Sequence, residues 1–256
     1  MSRAPVVLTD GGLETTLIFL EKLELPEFAA FDLLKSAEGA AALRKYFRTY
    51  GALARRHNAG LVLESATWRA SPDWAARLGY SPDALALANR QSIELLEEIR
   101  AEFETERCKV VISGCVGPRG DGYSPAQTMS ADQAENYHRK QIEIFSAGAA
   151  DLVTAITMNY VDEAMGVARA ARNAGMPVVI SFTVETDGTL PTGQTLQAAV
   201  AQVDGATAAY PCYYMINCAH PTHFEQVLTE NQGWLKRIRG LRANASRQSH
   251  AELNDS

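Results

Sequence analysis

Short apolar segments alternate with longer helical patterns along the chain, and each apolar segment ends in a polar or glycine-rich loop. Leu61–Ser65, Lys109–Ser113 and Val178–Phe182 are typical of these segments. Apolar runs of this length, bounded by turn residues, predict buried strands, and the patterns between them predict connecting helices. The alternation therefore favours an α/β fold, a (β/α)8 barrel of the TIM type, with a doubly wound sheet as the alternative.

The pattern predicts seven strands rather than eight. They begin at Val6, Leu61, Lys109, Leu152, Val178, Tyr213 and Ile238. After Ala243 the sequence is polar and predicts no further strand. The first and seventh strands would then have unpaired edges, which folds usually cover. We therefore interpret residues 1–256 as a single barrel domain that lacks its eighth strand–helix unit, and self-association is one way to cover the gap.

Composition limits the kinds of partner that the chain is expected to bind. The formal net charge is -6 at pH 7 and no Lys/Arg cluster occurs, which argues against a nucleic-acid surface. The cysteines are spread without close pairs and the N-terminus lacks a signal segment. No apolar run approaches the roughly 20 residues that cross a bilayer. We expect a reduced, cytoplasmic protein that acts on small molecules.

The end of the sixth predicted strand carries the most distinctive group of side chains. Cys218 follows this strand, and active sites of barrels lie at the carboxyl ends of strands. One interpretation of Cys218 is a structural one, a small buried apolar residue. The functional interpretation is a zinc thiolate or a nucleophile. His220 and His223 are equally well explained as loop and capping residues. Thr222 is the expected cap of the following helix.

Other strand ends carry carboxylates and a further cysteine. Asp10 precedes a Gly-Gly pair, which is common turn chemistry. Glu64 ends a buried strand, where an ionised carboxylate needs a partner, and Arg69 and Arg119 are the candidates. Cys115, in the glycine-rich loop, is interpreted as a packing residue.

Three segments resemble the signature segments of the homocysteine S-methyltransferase family. They are residues 10–16 (Asp-Gly-Gly-Leu-Glu-Thr-Thr), 113–123 (Ser-Gly-Cys-Val-Gly-Pro-Arg-Gly-Asp-Gly-Tyr) and 216–221 (Ile-Asn-Cys-Ala-His-Pro), in the family's order and at similar separations. The resemblance covers nearly the whole chain. It implies a barrel in which zinc, held by three cysteine thiolates, activates the sulfur of homocysteine. The methyl donor would be a small molecule such as S-methylmethionine or a betaine-like compound, and the product methionine.

The same resemblance assigns roles to particular positions. Cys218 matches the first zinc cysteine, and no catalytic side chain is expected beyond the metal site. The expected substrate-binding residues are Asp10, Gly11, Thr15, Glu64 and Asn217. Asp10, Gly11 and Thr15 would frame the amino-acid pocket, whereas Glu64 would face the substrate and Asn217 would support the loop after the sixth strand.

The sequence departs from the family pattern at two places. The family's other zinc ligands are adjacent cysteines in a Gly-Gly-Cys-Cys-Gly segment, which does not occur here. A family glutamate that holds the substrate amine, at the end of strand four, corresponds to Ile156, and Glu64 or Glu185 are candidates to replace it.

Three ligands matter because a free thiol, with a pKa of about 8.5, is mostly protonated at neutral pH, whereas zinc deprotonates a bound thiol. Three protein ligands also leave the fourth position of a tetrahedral zinc for the substrate. With Cys218 alone, we expect this chain to bind zinc poorly and to be inactive or nearly so. A substitute site that includes Cys115 and His220 is a minor alternative.

Two hypotheses from other classes remain open. The first is a barrel that binds a small molecule or a partner chain without catalysing transfer, which the missing ligand pair and Ile156 favour. The second is a lyase with a Schiff-base lysine. No lysine lies at a convincing strand end, since Lys109 begins its strand, and this disfavours the lyase.

Overall fold

The computed structural model describes residues 6–125, 127–229 and 233–254. The chain divides into two compact units. The first contains the chain up to Val116 together with Gln141–Val153, and the second contains Gly117–Lys140 and the chain from Thr154 onward. The interpretation of the chain as a single domain stays a prediction.

In its described residues the first unit contains three strands and four α-helices. The strands are β1 (Val7–Thr9), β2 (Gly60–Glu64) and β3 (Val110–Val116), and the helices are α1 (Leu13–Thr15), α2 (Ala37–His57), α3 (Pro72–Arg77) and α4 (Pro82–Phe103). Strand β1 pairs in parallel with β2, and β2 pairs in parallel with β3. The carboxyl ends of these strands therefore share one edge of the sheet.

The second unit repeats the alternation of strand and helix. Its strands and helices are β5 (Val178–Thr183), β6 (Tyr213–Asn217), β7 (Ile238–Arg242), α6 (Val161–Asn173), α7 (Leu196–Thr207), α8 (Pro221–Thr229) and α9 (His250–Asn254). Helix α5 (Ala131–Ser146) and strand β4 (Leu152–Met158) contain residues of both units. Strand β6 pairs in parallel with both β5 and β7.

The strand order decides between the two folds that the sequence allowed. Hydrogen-bonded neighbours follow the chain order from β1 to β7. A doubly wound sheet reverses its order at a switch point, whereas a TIM-type barrel does not. The predicted TIM-type α/β barrel is therefore confirmed, and within residues 6–125, 127–229 and 233–254 it has seven strands.

Helix termini follow the sequence signals in part. The residue type and position of Ser36 predict the N-cap of α2. Its side chain accepts a hydrogen bond from the Gly39 N–H at 3.0 Å, which confirms this prediction. The sequence predicts a helix from Ala37 to Asn58 that is stopped by Gly60, whereas α2 ends at His57 and its C-cap is Asn58, in the left-handed conformation. The pattern after β6 predicts a helix from Phe224 to Asn231, and this start is wrong because α8 begins at Pro221. Asn231 lies outside the described residues.

Pro26 and its acidic neighbours predict a loop before α2, but the segment contains short helices. A π-helical turn covers Thr16–Leu20, and two 3₁₀ segments cover Pro26–Phe28 and Ala30–Lys35. Leu17 and Phe31 are fully buried. Burial of these two side chains explains why the segment is helical although its turn residues predict a loop. None of the helices in the described residues is long and apolar enough to span a membrane.

Buried polar groups in the first unit hold the ends of β2 and β3 together. The Gln141 amide donates to the Thr67 carbonyl oxygen at 3.1 Å and to Asn89 Oδ1 at 3.0 Å. Thr67 Oγ1 donates to the Cys115 carbonyl oxygen at 2.7 Å, and the Cys115 N–H donates to Ser65 Oγ at 2.9 Å. Cys115 is thereby fixed by its backbone, and its side chain is buried.

Gly114, in β3, lies against the ring of Phe145, which is fully buried. A Cβ at position 114 would overlap that ring, whereas a Cβ at Gly120 would meet nothing within 4 Å. We expect Gly114→Ala to destabilise the protein by about 1–3 kcal/mol, because a packed ring has to move. Gly120→Ala is the matched control and should change stability little. Urea unfolding of both variants tests this, and equal midpoints would contradict the packing.

Candidate active site at the strand ends

Cys218 lies directly after β6, at the carboxyl end of the strand. Its side chain is partly exposed, whereas Cys108 and Cys115 are buried. The Cys218 N–H donates to the carbonyl oxygen of Arg242 at 3.1 Å, and its own carbonyl oxygen accepts from His250 Nε2 at 2.7 Å. Both backbone groups of Cys218 are therefore fixed while its sulfur stays accessible.

Asn217 organises the neighbouring strand ends through its side-chain amide. Its Oδ1 accepts from the Thr157 N–H at 3.1 Å and from Ser181 Oγ at 2.6 Å. Its Nδ2 donates to Thr157 Oγ1 at 2.9 Å and to Cys218 Sγ at 3.1 Å. These bonds use both lone pairs and both protons of the amide. We call Thr157, Ser181, Asn217 and Cys218 the Asn217 cluster. It links β4, β5 and β6 to the sulfur.

Two members of the Asn217 cluster have left-handed backbone conformations. Thr157 has φ 63° and Cys218 has φ 55°. A positive φ is a clear outlier for a β-branched residue such as threonine, and such conformations cost roughly 1–3 kcal/mol each. The surrounding hydrogen bonds compensate for this cost, since Asn217 bonds both the amide and the hydroxyl of Thr157. Strain of this kind is typical of functional sites.

A second group of side chains surrounds the carbonyl oxygen of Cys218. His250 donates to this oxygen, and its Nδ1 lies 3.2 Å from Glu185 Oε1. The ring of Tyr123 lies over the imidazole, with 4.2 Å between the ring centroids. We call Tyr123, Glu185 and His250 the His250 cluster. It brings the glycine-rich loop, the loop after β5 and the start of α9 to the end of β6.

The other two histidines near Cys218 have local structural roles. His220 Nδ1 accepts the Thr222 N–H at 3.2 Å, so His220 caps α8 in place of the predicted Thr222. His223 Nε2 lies 3.0 Å from the Arg247 carbonyl oxygen. The interpretation of both as loop and capping residues therefore agrees with their contacts.

The remaining predicted site residues lie at the strand ends of the first unit. Asp10 follows β1, is buried, and donates its N–H to the Val62 carbonyl oxygen at 3.3 Å. Gly11 faces the hydroxyl of Tyr50, which leaves no room for a Cβ. Thr15 Oγ1 donates to the Gly12 carbonyl oxygen at 3.1 Å.

Glu64 ends β2 as a buried carboxylate. Ser113 Oγ on β3 donates to its Oε2 at 3.3 Å. The candidate partner Arg69 stacks on Trp74, with its guanidinium carbon 3.9 Å from the ring centroid. Arg119 lies 5.1 Å from the ring centroid of Tyr137. The pairing of Glu64 with either arginine stays a prediction.

The donor set does not fit a zinc site of three protein ligands. In the part of the chain that the structure describes, no three His, Cys, Asp or Glu side chains are grouped so that they could hold a metal ion. Cys212 precedes β6 and Cys218 follows it, so the strand places the two residues roughly 20 Å apart along the backbone at about 3.3 Å per residue. One accessible thiol remains at the end of β6.

The sequence profile of the homocysteine S-methyltransferase family matches residues 7–254. The chain belongs to this family. Three solved structures of the homocysteine methyltransferase MmuM from Escherichia coli are similar to it. The metallated form is 18% identical with a TM-score of 0.74, and the match covers 96% of this chain and 94% of that chain. The oxidized form is 19% identical with a TM-score of 0.71 and the same coverage.

The apo form of MmuM is 18% identical with a TM-score of 0.67, and the match covers 96% of this chain and 93% of that chain. At these identities the likeness shows the fold. No curated protein sequence matches the chain. Family membership and fold together support a methyltransferase.

The sequence analysis did not identify Thr157, Ser181 or His250 as members of the site. Thr157 directly follows the predicted fourth strand and Ser181 lies in the predicted fifth strand, but no local signal marks a left-handed threonine. His250 lies in a polar tail that was interpreted only as lacking a strand. Its role depends on contacts with Cys218, which lies 32 positions earlier, and with Glu185, which lies 65 positions earlier. A local pattern does not reveal such contacts.

The left-handed conformation of Cys218 has a measurable consequence. Cys218→Gly and Cys218→Ala both remove the sulfur, but only glycine adopts a positive φ without steric cost. We expect Cys218→Gly to be about 1 kcal/mol more stable than Cys218→Ala. Urea unfolding of the two variants measures the difference, and an alanine variant of equal or greater stability would show that the backbone at position 218 is unstrained.

Proposed function

We propose that the protein transfers a methyl group from a small donor of the S-methylmethionine or betaine type to the sulfur of homocysteine, giving methionine. The observation that carries this proposal is the accessible thiol of Cys218 at the end of β6, in a chain that belongs to the homocysteine S-methyltransferase family. The fixed backbone of Cys218 and its bond from Asn217 support a site in which this sulfur has a defined position.

The reaction with a sulfonium donor balances without an external oxidant or reductant. The bond between the donor sulfur and its methyl carbon breaks, and the bond between that carbon and the homocysteine sulfur forms. The thiol proton of homocysteine is released, and the donor's positive charge is lost with its methyl group. The protein has to hold the two sulfur atoms in line with the methyl carbon, which is a task of positioning.

The substrate-binding roles of Asp10, Gly11, Thr15, Glu64 and Asn217 are part of this proposal. Asn217 contributes by orientation, because its amide bonds are all made within the Asn217 cluster. Zinc enters the proposal through the family resemblance, with Cys218 as one ligand. The described residues do not form a three-ligand site, so no step is assigned to the metal.

The cellular location and the partners of the protein are the remaining part of the proposal. We propose that the protein acts in the cytoplasm on small molecules, within methionine biosynthesis, and that it has no nucleic-acid or membrane partner. Self-association remains part of the proposal, because the pairings observed for β1 and β7 are with β2 and β6 respectively.

The proposed activity is tested by following methionine formation from homocysteine and S-methylmethionine, with and without added zinc. We expect slow formation by the protein, and a fall to background in Cys218→Ala because the sulfur at the end of β6 is lost. Cys212→Ala is the matched control, since Cys212 is exposed and lies at the other end of β6. Formation that is equal in all three proteins, or absent from all, would overturn the proposal.

A barrel that binds a small molecule without catalysis is the second candidate. The lack of a three-ligand group in the described residues favours it, and so does the apolar side chain of Ile156, which is buried at β4. Calorimetric titration of homocysteine with and without zinc separates the two candidates. Homocysteine binding that zinc strengthens in the wild type and not in Cys218→Ala would support the methyltransferase. Binding that ignores zinc in both proteins would support the non-catalytic candidate.

A further inference from the structure

Glu163 is a buried carboxylate to which the proposed function assigns no role. It lies in the first turn of α6 and is 1% exposed. Its Oε1 accepts the Arg119 N–H at 2.7 Å and lies 2.8 Å from His138 Nε2. Within the described residues, its Oε2 is buried and makes no hydrogen bond. Burial of a carboxylate is costly unless the group is paired and hydrogen-bonded, so the two contacts of Oε1 have to offset that cost.

The contact with His138 does not by itself explain the carboxylate. His138 lies on α5, so its contact with Glu163 joins α5 to α6. These two helices already pack closely at Gly166, where a Cβ would overlap the side chain of Ala134. Joining the helices therefore does not require a buried carboxylate. The contact that remains to be explained is the bond that Glu163 accepts from the backbone of Arg119.

The segment that contains Arg119 is held at a second point as well. We call residues 117–124, which follow β3, the Arg119 loop. Asn159, between β4 and α6, donates from Nδ2 to the Asp121 carbonyl oxygen at 2.9 Å. Asp121 Oδ1 in turn accepts the N–H groups of Tyr123 and Ser124 at 2.8 and 2.9 Å. The start of α6 thus fixes one part of the loop, and the loop's own turn orients Tyr123.

Tyr123 connects the Arg119 loop to the residue that carries the accessible sulfur. Its ring lies over the imidazole of His250, with 4.2 Å between the centroids and a tilt of 33°. His250 Nε2 donates to the carbonyl oxygen of Cys218 at 2.7 Å. An unbroken series of observed contacts therefore leads from Glu163 through the loop to the backbone of Cys218.

We propose that Glu163 is a positioning residue for the site at Cys218. It fixes the Arg119 loop, and the loop holds His250 against the Cys218 carbonyl oxygen through Tyr123. The inference rests on the proposed function in taking Cys218 as the functional sulfur. It gives a buried carboxylate on α6, outside the Asn217 cluster, a role in placing that sulfur.

Hydrogen exchange of peptides that cover residues 117–124, measured by mass spectrometry, tests the first step. Glu163→Met removes the acceptor and keeps a side chain of similar length, whereas Glu163→Gln keeps an oxygen that can accept the Arg119 N–H. We expect the loop to exchange about tenfold faster in Glu163→Met, since a lost hydrogen bond to a charged group favours local opening by roughly that factor. In Glu163→Gln the exchange should stay close to that of the wild type.

Val167→Ala is the matched control for a general loss of stability. Val167 is a fully buried residue on the same helix, so its truncation removes packing without removing the acceptor of the Arg119 N–H. Exchange of residues 117–124 should be the same in Val167→Ala as in the wild type. A loop that exchanges equally fast in Val167→Ala and Glu163→Met would overturn the positioning role.

The reaction of Cys218 with iodoacetamide tests the second step. In a Cys212→Ala background, Cys218 is the one remaining cysteine that is not buried. We expect Glu163→Met to react severalfold faster, because a loosened His250 no longer fixes the backbone beside the sulfur, and Glu163→Gln and Val167→Ala to react at the background rate. Tyr123→Ala breaks the series at its other end without changing Glu163, and it should also react faster. An unchanged rate in Tyr123→Ala or in Glu163→Met would overturn the link to Cys218.

Neither measurement requires turnover, so this inference and the proposed function can fail separately. If the wild type forms no methionine but exchange and alkylation change as expected, the proposed function fails and the positioning of Cys218 by Glu163 stands. If the wild type forms methionine but Glu163→Met changes neither exchange nor alkylation, the positioning role fails and the proposed function stands.

Discussion

The side-chain amide of Asn217 is the interaction on which the candidate site depends. It bonds to the backbone and hydroxyl of Thr157, to the hydroxyl of Ser181 and to the sulfur of Cys218. These partners come from the ends of three different strands, and Asn217 is 1% exposed. A buried amide that lost a partner would retain an unsatisfied polar atom, at a cost of about 1–3 kcal/mol. The positions of the strand ends and of the sulfur are therefore energetically coupled.

This coupling explains how two left-handed residues persist at the site. An isolated threonine would leave a positive φ readily, because β-branched side chains clash with the backbone there. Thr157 is prevented from doing so because both its N–H and its hydroxyl are bound by one rigid side chain. Cys218 is held at both its N–H and its carbonyl oxygen. The strain is thus localised near the carboxyl end of β4 and directly after β6.

The sequence predicted the fold well because the fold depends on local patterns. Most of the strands in the described residues are apolar runs between turn residues, and the strand order follows the chain. Ser36 also reveals its helix cap through residue type and spacing alone. The short helices after β1 were missed because Leu17 and Phe31 are ordered by tertiary burial. Such burial overrides the local preference of a segment for turn or loop.

The site was only partly predictable, for a related reason. Cys218 and Asn217 are recognisable because they end an apolar strand and lie in a family-like segment. His250 is not, because its partners Glu185 and Cys218 are brought to it by the fold. The same holds for Ser181, which resembles any small residue within a strand until its bond to Asn217 is known. Long-range polar contacts are specified by three-dimensional geometry, and a single sequence contains no local signal for them.

A cluster that uses all of its hydrogen bonds internally is rigid, and rigidity limits what it can recognise. Asn217 has no remaining donor or acceptor for a ligand, so it orients other groups and does not select among substrates. Selection requires polar atoms with unused capacity at the same strand ends. Among the described residues, Thr183 Oγ1 and Asn159 Oδ1 are buried without a partner, and buried polar atoms in folded proteins normally have one. Thr183 is the register partner of Asn217 on the neighbouring strand, so its hydroxyl stands next to the rigid cluster. These atoms leave unused hydrogen-bonding capacity at the ends of β4 and β5.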